Sequence, residues 1–163
     1  MNRPSGRRYI DRDKKMKQLV SGNDAIFKGA IRAGARYFAG YPITPSSEIL
    51  QQASLYAEEN PEFHFLQAED EIAAAIATIS ASLAGVKSFT ATSGPGFTLM
   101  QEALGWGHAV EAPCVIVNSM RVGPSTGMPP SPPSQICSRS KGEAQAIIIR
   151  LPSIPIPWRN LFV

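Results

Sequence analysis

The chain has 163 residues, 44% apolar and 18% charged, enough for one domain with a core and ordinary for a globular protein. The net charge of +3 is uneven: residues 1–20 carry seven Lys/Arg against two Asp and residues 121–163 five against one Glu, while the body between them is acidic. An acidic body argues against a folded nucleic-acid face, and no apolar run approaches the length of a membrane helix.

Residues 1–20 read as a basic, solvated tail without the apolar core of a secretory signal. Cys114 and Cys137 form no CxxC and no metal spacing, so a reduced, cytoplasmic chain without a metal site of its own is expected. From residue 21 the pattern alternates. "NDAIFKGAIRAGARYF" places Ile26, Ala30, Ile31 and Ala33 at helical spacing, with Asn23 or Asp24 as N-cap and Gly34 near the end. "FAGYPI" reads as a strand. "SSEILQQASLYAEEN" reads as a helix with Ile49, Leu50, Ala53 and Tyr56 on one face, capped by Ser46 or Ser47 and ended by Pro61. "FHFLQA" is a strand, "EDEIAAAIATISASLAG" a small-sided helix closed by Gly85, and "KSFTATS" a strand. "GFTLMQEALGWGHAVEA" is one helix ended by Pro113, and "CVIVNSM" a buried strand.

This alternation predicts an α/β fold, a parallel sheet with helices on both faces, over residues 21–135. Ligands of such sheets bind beyond the carboxyl ends of the strands. Pro42–Ser46, Ala68–Glu71, Thr92–Gly96 and Met120–Thr126 should therefore converge there. Residues 124–163 hold eight of the fourteen prolines, and the α/β rhythm stops near Arg121. "EAQAIIIRL" can form one more strand. Residues 136–163 are read as an atypical Pro-rich, apolar tail.

Four features bear on chemistry. In "GYPITPSSE", two prolines fix φ, remove two backbone donors and bias Tyr41 and Thr44 toward extended backbone, so the loop holds the Thr44 hydroxyl in a fixed place. Glu69, Asp70 and Glu71 open the alanine-rich helix. Acids in a first turn suit the helix dipole, but an acid on a tightly packed helix at a strand's carboxyl end can also be desolvated and serve a heterocyclic nitrogen. "TSGPG" lacks any phosphate-binding fingerprint and reads as a turn that lets a ligand approach the backbone. Arg121, just past a buried strand, is either a solvated loop charge or a carboxylate clamp. His64 and His108 read as structural, and Cys114 as core.

"GNDAIFKGAIRAGARYFAGYPITPSSEI", "QAEDEIAAA", "SLAGVKSFTATSGPGFTLMQE" and "APCVIVNSMRVGPSTGMP" together resemble the alpha subunit of 2-oxoacid:ferredoxin oxidoreductases, most of all the 2-oxoglutarate type, over residues 21 to about 130. The resemblance implies the pyrimidine-binding domain of a thiamine diphosphate enzyme. By it, Glu71 matches the glutamate that binds the cofactor's pyrimidine ring, favouring the tautomer that takes the proton from the thiazolium carbon. Thr44 matches the threonine facing the 2-oxoacid, and Arg121 the arginine pairing with the substrate carboxylate. Pro42, Ile43, Ser93 and Gly94 fall at cofactor-binding positions. The implied reaction is oxidative decarboxylation: carbon dioxide leaves, electrons pass singly through iron–sulfur clusters to ferredoxin, and coenzyme A takes the acyl group.

This chain has no GDG-type motif for the diphosphate and Mg²⁺ and no clustered cysteines for iron–sulfur clusters. The resemblance therefore implies a beta subunit carrying the diphosphate site, clusters on partner subunits, and an active site at a subunit interface. After Gln135 the match to the family stops. The compositional break there is read as a reading-frame change near residues 129–136 followed by an early stop, against a divergent strand and tail. The functional alternative is a truncated, non-catalytic chain that at most associates with a beta subunit.

Overall fold

The computed structural model describes residues 19–120 and 146–150. The basic tail up to residue 18, Arg121 and the proline-rich segment lie outside the described residues.

The first helix, α1 (Gly22–Arg32), is capped by Ser21 and not by Asn23 or Asp24. The Ser21 hydroxyl accepts from the Asp24 N–H at 3.1 Å, and Asp24 reaches back to the Ser21 N–H at 3.4 Å. Asn23, Phe27 and Ala30 form its buried face, so the helix is rotated from the Ile26-centred stripe toward the larger Phe27. Gly34, at φ +87°, ends it in the left-handed conformation glycine adopts without strain. Strand β1 (Tyr37–Gly40) follows, then α2 (Ser47–Glu59) with Ile49 and Ala53 buried as expected. Ser46 stands at the N-cap of α2 but its side chain accepts no cap hydrogen bond: its backbone is helical and its hydroxyl is turned back to donate to the Ile43 carbonyl at 2.8 Å.

Strand β2 (His64–Gln67) leads into α3 (Glu71–Leu83), where Asp70 is the N-cap and its carboxylate accepts from the Ala73 N–H at 2.7 Å. Gly85, also at φ +87°, closes α3, and β3 (Ser88–Thr92) is fully buried. The single helix expected after β3 is two, α4 (Gly94–Leu99) and α5 (Gln101–Ala109). The break falls at Met100, whose N–H is shared between the Gly96 and Thr98 carbonyls and which is fully buried in the core. Strand β4 (Val115–Ser119) is buried throughout.

The sheet order is β2-β1-β3-β4-β5, with β5 spanning Ala146–Arg150. The first four strands are parallel, and β5 runs antiparallel along β4, Val115 opposite Arg150 and Ser119 opposite Ala146. The fifth strand falls within "EAQAIIIRL", in the segment read from composition as a tail. Helices α1 and α2 pack on one face through Phe27, Ile49 and Ala53 against Phe38, Phe89 and Val117. Phe38 and Phe89 meet edge to face at 4.9 Å, and burying each such side chain contributes about 1.5–3 kcal/mol. Helices α3 and α5 cover the other face through Ala74, Ala75, Ile79 and Ala103 against Ala39 and Ile116. The small residues facing inward on α3 let its backbone lie close over β1.

The chain leaves β1 outward over one face to the edge strand β2, then returns over the other face to β3. The loops after β1 and β3 thus diverge from neighbouring strands, which opens a crevice at their carboxyl ends. No helix among the described residues is long and apolar enough to cross a membrane.

Candidate active site

Because β1 to β4 are parallel, the segments that follow Gly40, Gln67, Thr92 and Ser119 emerge at one edge of the sheet. The Ala68 N–H donates to the Gly40 carbonyl at 2.9 Å, joining the first two of these segments. Gly40 is required where it stands: a β-carbon would lie 2.7 Å from Cε1 of Phe38.

Glu71 occupies the first position of α3 and is 5% exposed. Of the three acids that open this helix, Asp70 does the capping and Glu71 is the one turned inward. A carboxylate rarely buries unless something partners it. What it faces is α4: a β-carbon on Gly96 would stand 2.6 Å from Glu71 Oε1, and would also strike the Thr92 hydroxyl. Glycine at 96 therefore leaves the room that the carboxylate occupies. Ser93, the N-cap of α4, is fully buried and its hydroxyl has no hydrogen-bond partner among the described residues. The Thr90 hydroxyl and the Asn118 side-chain carbonyl are likewise buried and unpartnered, on adjacent strands β3 and β4. Buried polar atoms without partners are uncommon, and those beside the carboxyl edge suit a polar ligand. Gly94 has open space where a side chain would be.

In the loop after β1, Pro42 and Thr44 are exposed and Ile43 is half-buried. The Thr44–Pro45 peptide bond is cis. The loop is held by its carbonyls: that of Ile43 accepts from Ser46, and that of Pro45 accepts from the Asn23 side-chain amide at 2.9 Å. Asn23 also donates to Glu48 at 3.0 Å and accepts from the Ser119 hydroxyl at 3.1 Å. The structure thus brings Glu71 together with Thr92 and Gly96, and sets Ser93, Gly94 and the Thr44 loop at the same edge. Arg121 lies outside the described residues, two positions beyond the end of β4.

Sequence reasoning missed Asn23 and Ser119 as parts of the site's frame. The available signal was a polar residue on the apolar face of α1, in register with Phe27 and Ala30, which calls for a buried partner. Two clefts lie elsewhere: about 420 Å³ between α1 and α2, and about 320 Å³ at the amino ends of β1 and β2. Neither is lined by any residue of the carboxyl edge.

The residues present fit the pyrimidine end of thiamine diphosphate: a buried carboxylate, an unpartnered buried hydroxyl and a glycine whose missing side chain leaves the approach clear. Residues 28–135 match the family model described as pyruvate flavodoxin/ferredoxin oxidoreductase, thiamine diphosphate-binding. The 2-oxoglutarate synthase subunit KorA of Archaeoglobus fulgidus is 56% identical over 117 residues, covering 71% of this chain and 33% of that protein. The ketoisovalerate oxidoreductase subunit VorB of Methanothermobacter thermautotrophicus is 46% identical over 110 residues, covering 68% and 31%. Among solved structures, the 2-oxoglutarate:ferredoxin oxidoreductase from Magnetococcus marinus with 2-oxoglutarate, coenzyme A and succinyl-CoA bound is similar at a TM-score of 0.64 and 46% identity. That similarity covers 68% of this chain and 19% of the other. The chain thus spans a third or less of the length of these relatives. By fold and by sequence, the chain belongs to the thiamine diphosphate-binding family of the pyruvate flavodoxin/ferredoxin oxidoreductases.

Proposed function

We propose that this chain supplies the pyrimidine side of the thiamine diphosphate site in a 2-oxoacid:ferredoxin oxidoreductase, acting with a beta-type partner subunit. The observation that carries the reading is the buried Glu71 carboxylate, packed against Gly96 at the carboxyl edge of a parallel sheet. Higher identity to 2-oxoglutarate synthase subunits, 53–56%, than to the ketoisovalerate subunit, 46%, supports 2-oxoglutarate as the substrate. The balanced reaction is 2-oxoglutarate, coenzyme A and two oxidised ferredoxins giving succinyl-CoA, carbon dioxide, a proton and two reduced ferredoxins.

When bound, thiamine diphosphate supplies the nucleophilic carbon and the electron sink that the loss of carbon dioxide requires. Glu71 would share a proton with a pyrimidine ring nitrogen and so favour the ring tautomer that can take the proton from the reactive carbon. Ser93 and Gly94, with Pro42 and Ile43, shape the walls around the ring. Thr44 presents its hydroxyl to the 2-oxo group, and Arg121 pairs its planar fork with a substrate carboxylate. The diphosphate, its Mg²⁺ and the iron–sulfur clusters belong to partner subunits, as does the ferredoxin contact.

The test is co-expression with a beta-type subunit and an assay for 2-oxoacid-dependent reduction of an artificial electron acceptor, with coenzyme A and thiamine diphosphate present. Turnover supports the reading. A stable complex without turnover supports the second reading, a chain that associates with a beta subunit but does not catalyse.

A further inference from the structure

The loop that carries Thr44 contains Pro42 and Pro45, which have no N–H, so its carbonyls are its main handles. One of them is tied across the fold. Asn23 is 7% exposed and uses both amide hydrogens and its oxygen: it donates to the Pro45 carbonyl at 2.9 Å and to Glu48 Oε2 at 3.0 Å, and accepts from Ser119 Oγ at 3.1 Å. A reversed amide would face oxygen to a carbonyl and a carboxylate, so the network itself settles the orientation. Ser119 is fully buried and ends β4, two residues before Arg121. Strands β1 and β4 are separated by β3, so no backbone pairing joins the Thr44 loop to the end of β4. The Asn23 side chain makes that connection.

We propose that Asn23 is a positioning residue that straps the Thr44 loop to the end of β4 and so holds the Thr44 hydroxyl at its place on the carboxyl edge. The assignment of Thr44 to the 2-oxoacid rests on the functional reading above; the strap itself rests on the hydrogen bonds. Removing it frees a loop whose hydroxyl must meet the substrate within a fraction of an ångström, the kind of misplacement that costs rate without unfolding the domain. Glu71 and its cofactor contacts lie on α3, which the strap does not touch.

Hydrogen exchange on the full chain tests the strap without any activity. In Asn23→Ala, the amide of Ile49, which donates to the Ser46 carbonyl at 3.0 Å, should exchange roughly tenfold faster, as two lost hydrogen bonds to the segment imply, with α3 unchanged. Wild-type exchange in that segment, or acceleration spread evenly over α3, overturns the proposal. Ser119→Ala, which removes one bond only, carries the same test should Asn23→Ala not fold. In the complex with the beta-type subunit, Asn23→Ala should lower kcat/KM for the 2-oxoacid roughly tenfold or more while half-saturation by thiamine diphosphate stays put. Equal loss in both means a general structural role and overturns it. A wild-type complex without turnover contradicts the functional reading instead, and hydrogen exchange then decides the strap on its own.

Discussion

Gly96 and Glu71 are in contact across two helices: a β-carbon on Gly96 would stand 2.6 Å from Glu71 Oε1 and 2.7 Å from its Cγ. Real β-carbons do not come so close, so the glycine and the carboxylate require one another. Gly96→Ala should push the Glu71 carboxylate off its position. The same methyl would also strike the buried Thr92 hydroxyl, so thermal melts of the variant are read beside its cofactor binding. The expected result is a roughly tenfold or greater weakening of thiamine diphosphate binding in the complex, read by calorimetric titration. Gly105→Ala, on the exposed side of α5, is the control, because among the described residues its added methyl would meet nothing within 4 Å. It should leave that binding close to wild type.

Thr44 is exposed, and its loop is held by carbonyl contacts at Ile43 and Pro45 rather than by its own side chain. Thr44→Ala should therefore change stability by no more than about 0.5 kcal/mol. In the reconstituted complex it should lower turnover of the 2-oxoacid, and Thr44→Ser should restore much of it. Denaturant titration beside steady-state kinetics separates the two effects.

Burial pushes the Cys114 thiol up to about 11 from 9.0, a rise that hydrogen bonds with its own backbone and Ser82 only partly offset. The folded chain thus holds this proton more tightly than the unfolded chain. Its contribution to stability is fully present below about pH 9 and is lost as pH rises through about 11. Burial raises the Tyr37 phenol in the same direction. In a Cys137→Ser background, iodoacetamide at pH 8 should leave folded Cys114 unlabelled and modify it after denaturation. Thermal melts between pH 9 and 11 should fall, and fall less steeply in Cys114→Ala.

Much of the fold was legible along the chain because its signals are local. Gly34 and Gly85 end helices where the pattern stops, and Ile49 with Ala53 face inward as their spacing requires. What was not legible depends on contacts distant in sequence. Asn23 looks like an N-cap by composition, yet Ser21 caps and Asn23 turns inward to meet Ser119, 96 residues away. Ser46 looks like a cap, but its backbone is already helical and its hydroxyl is turned back toward the Ile43 carbonyl, to which it donates. The break at Met100 comes from packing against the sheet, which no helical period announces, and although Ala146–Arg150 falls within the stretch that reads as one more strand, its antiparallel direction was not legible. At the site, pattern alone left Glu71 level with an acid that serves only the helix dipole. Burial against Gly96 distinguishes it, with Asp70 taking the capping role.

The most direct test of the account is the activity of Glu71→Gln in the complex of this chain with a beta-type subunit, measured as thiamine diphosphate-dependent acceptor reduction with 2-oxoglutarate and coenzyme A. A glutamine keeps the shape but cannot share the proton with the pyrimidine ring, so turnover should fall at least a hundredfold, the scale of losing a general acid–base contribution, while the complex still assembles. Full turnover in the variant would contradict the account.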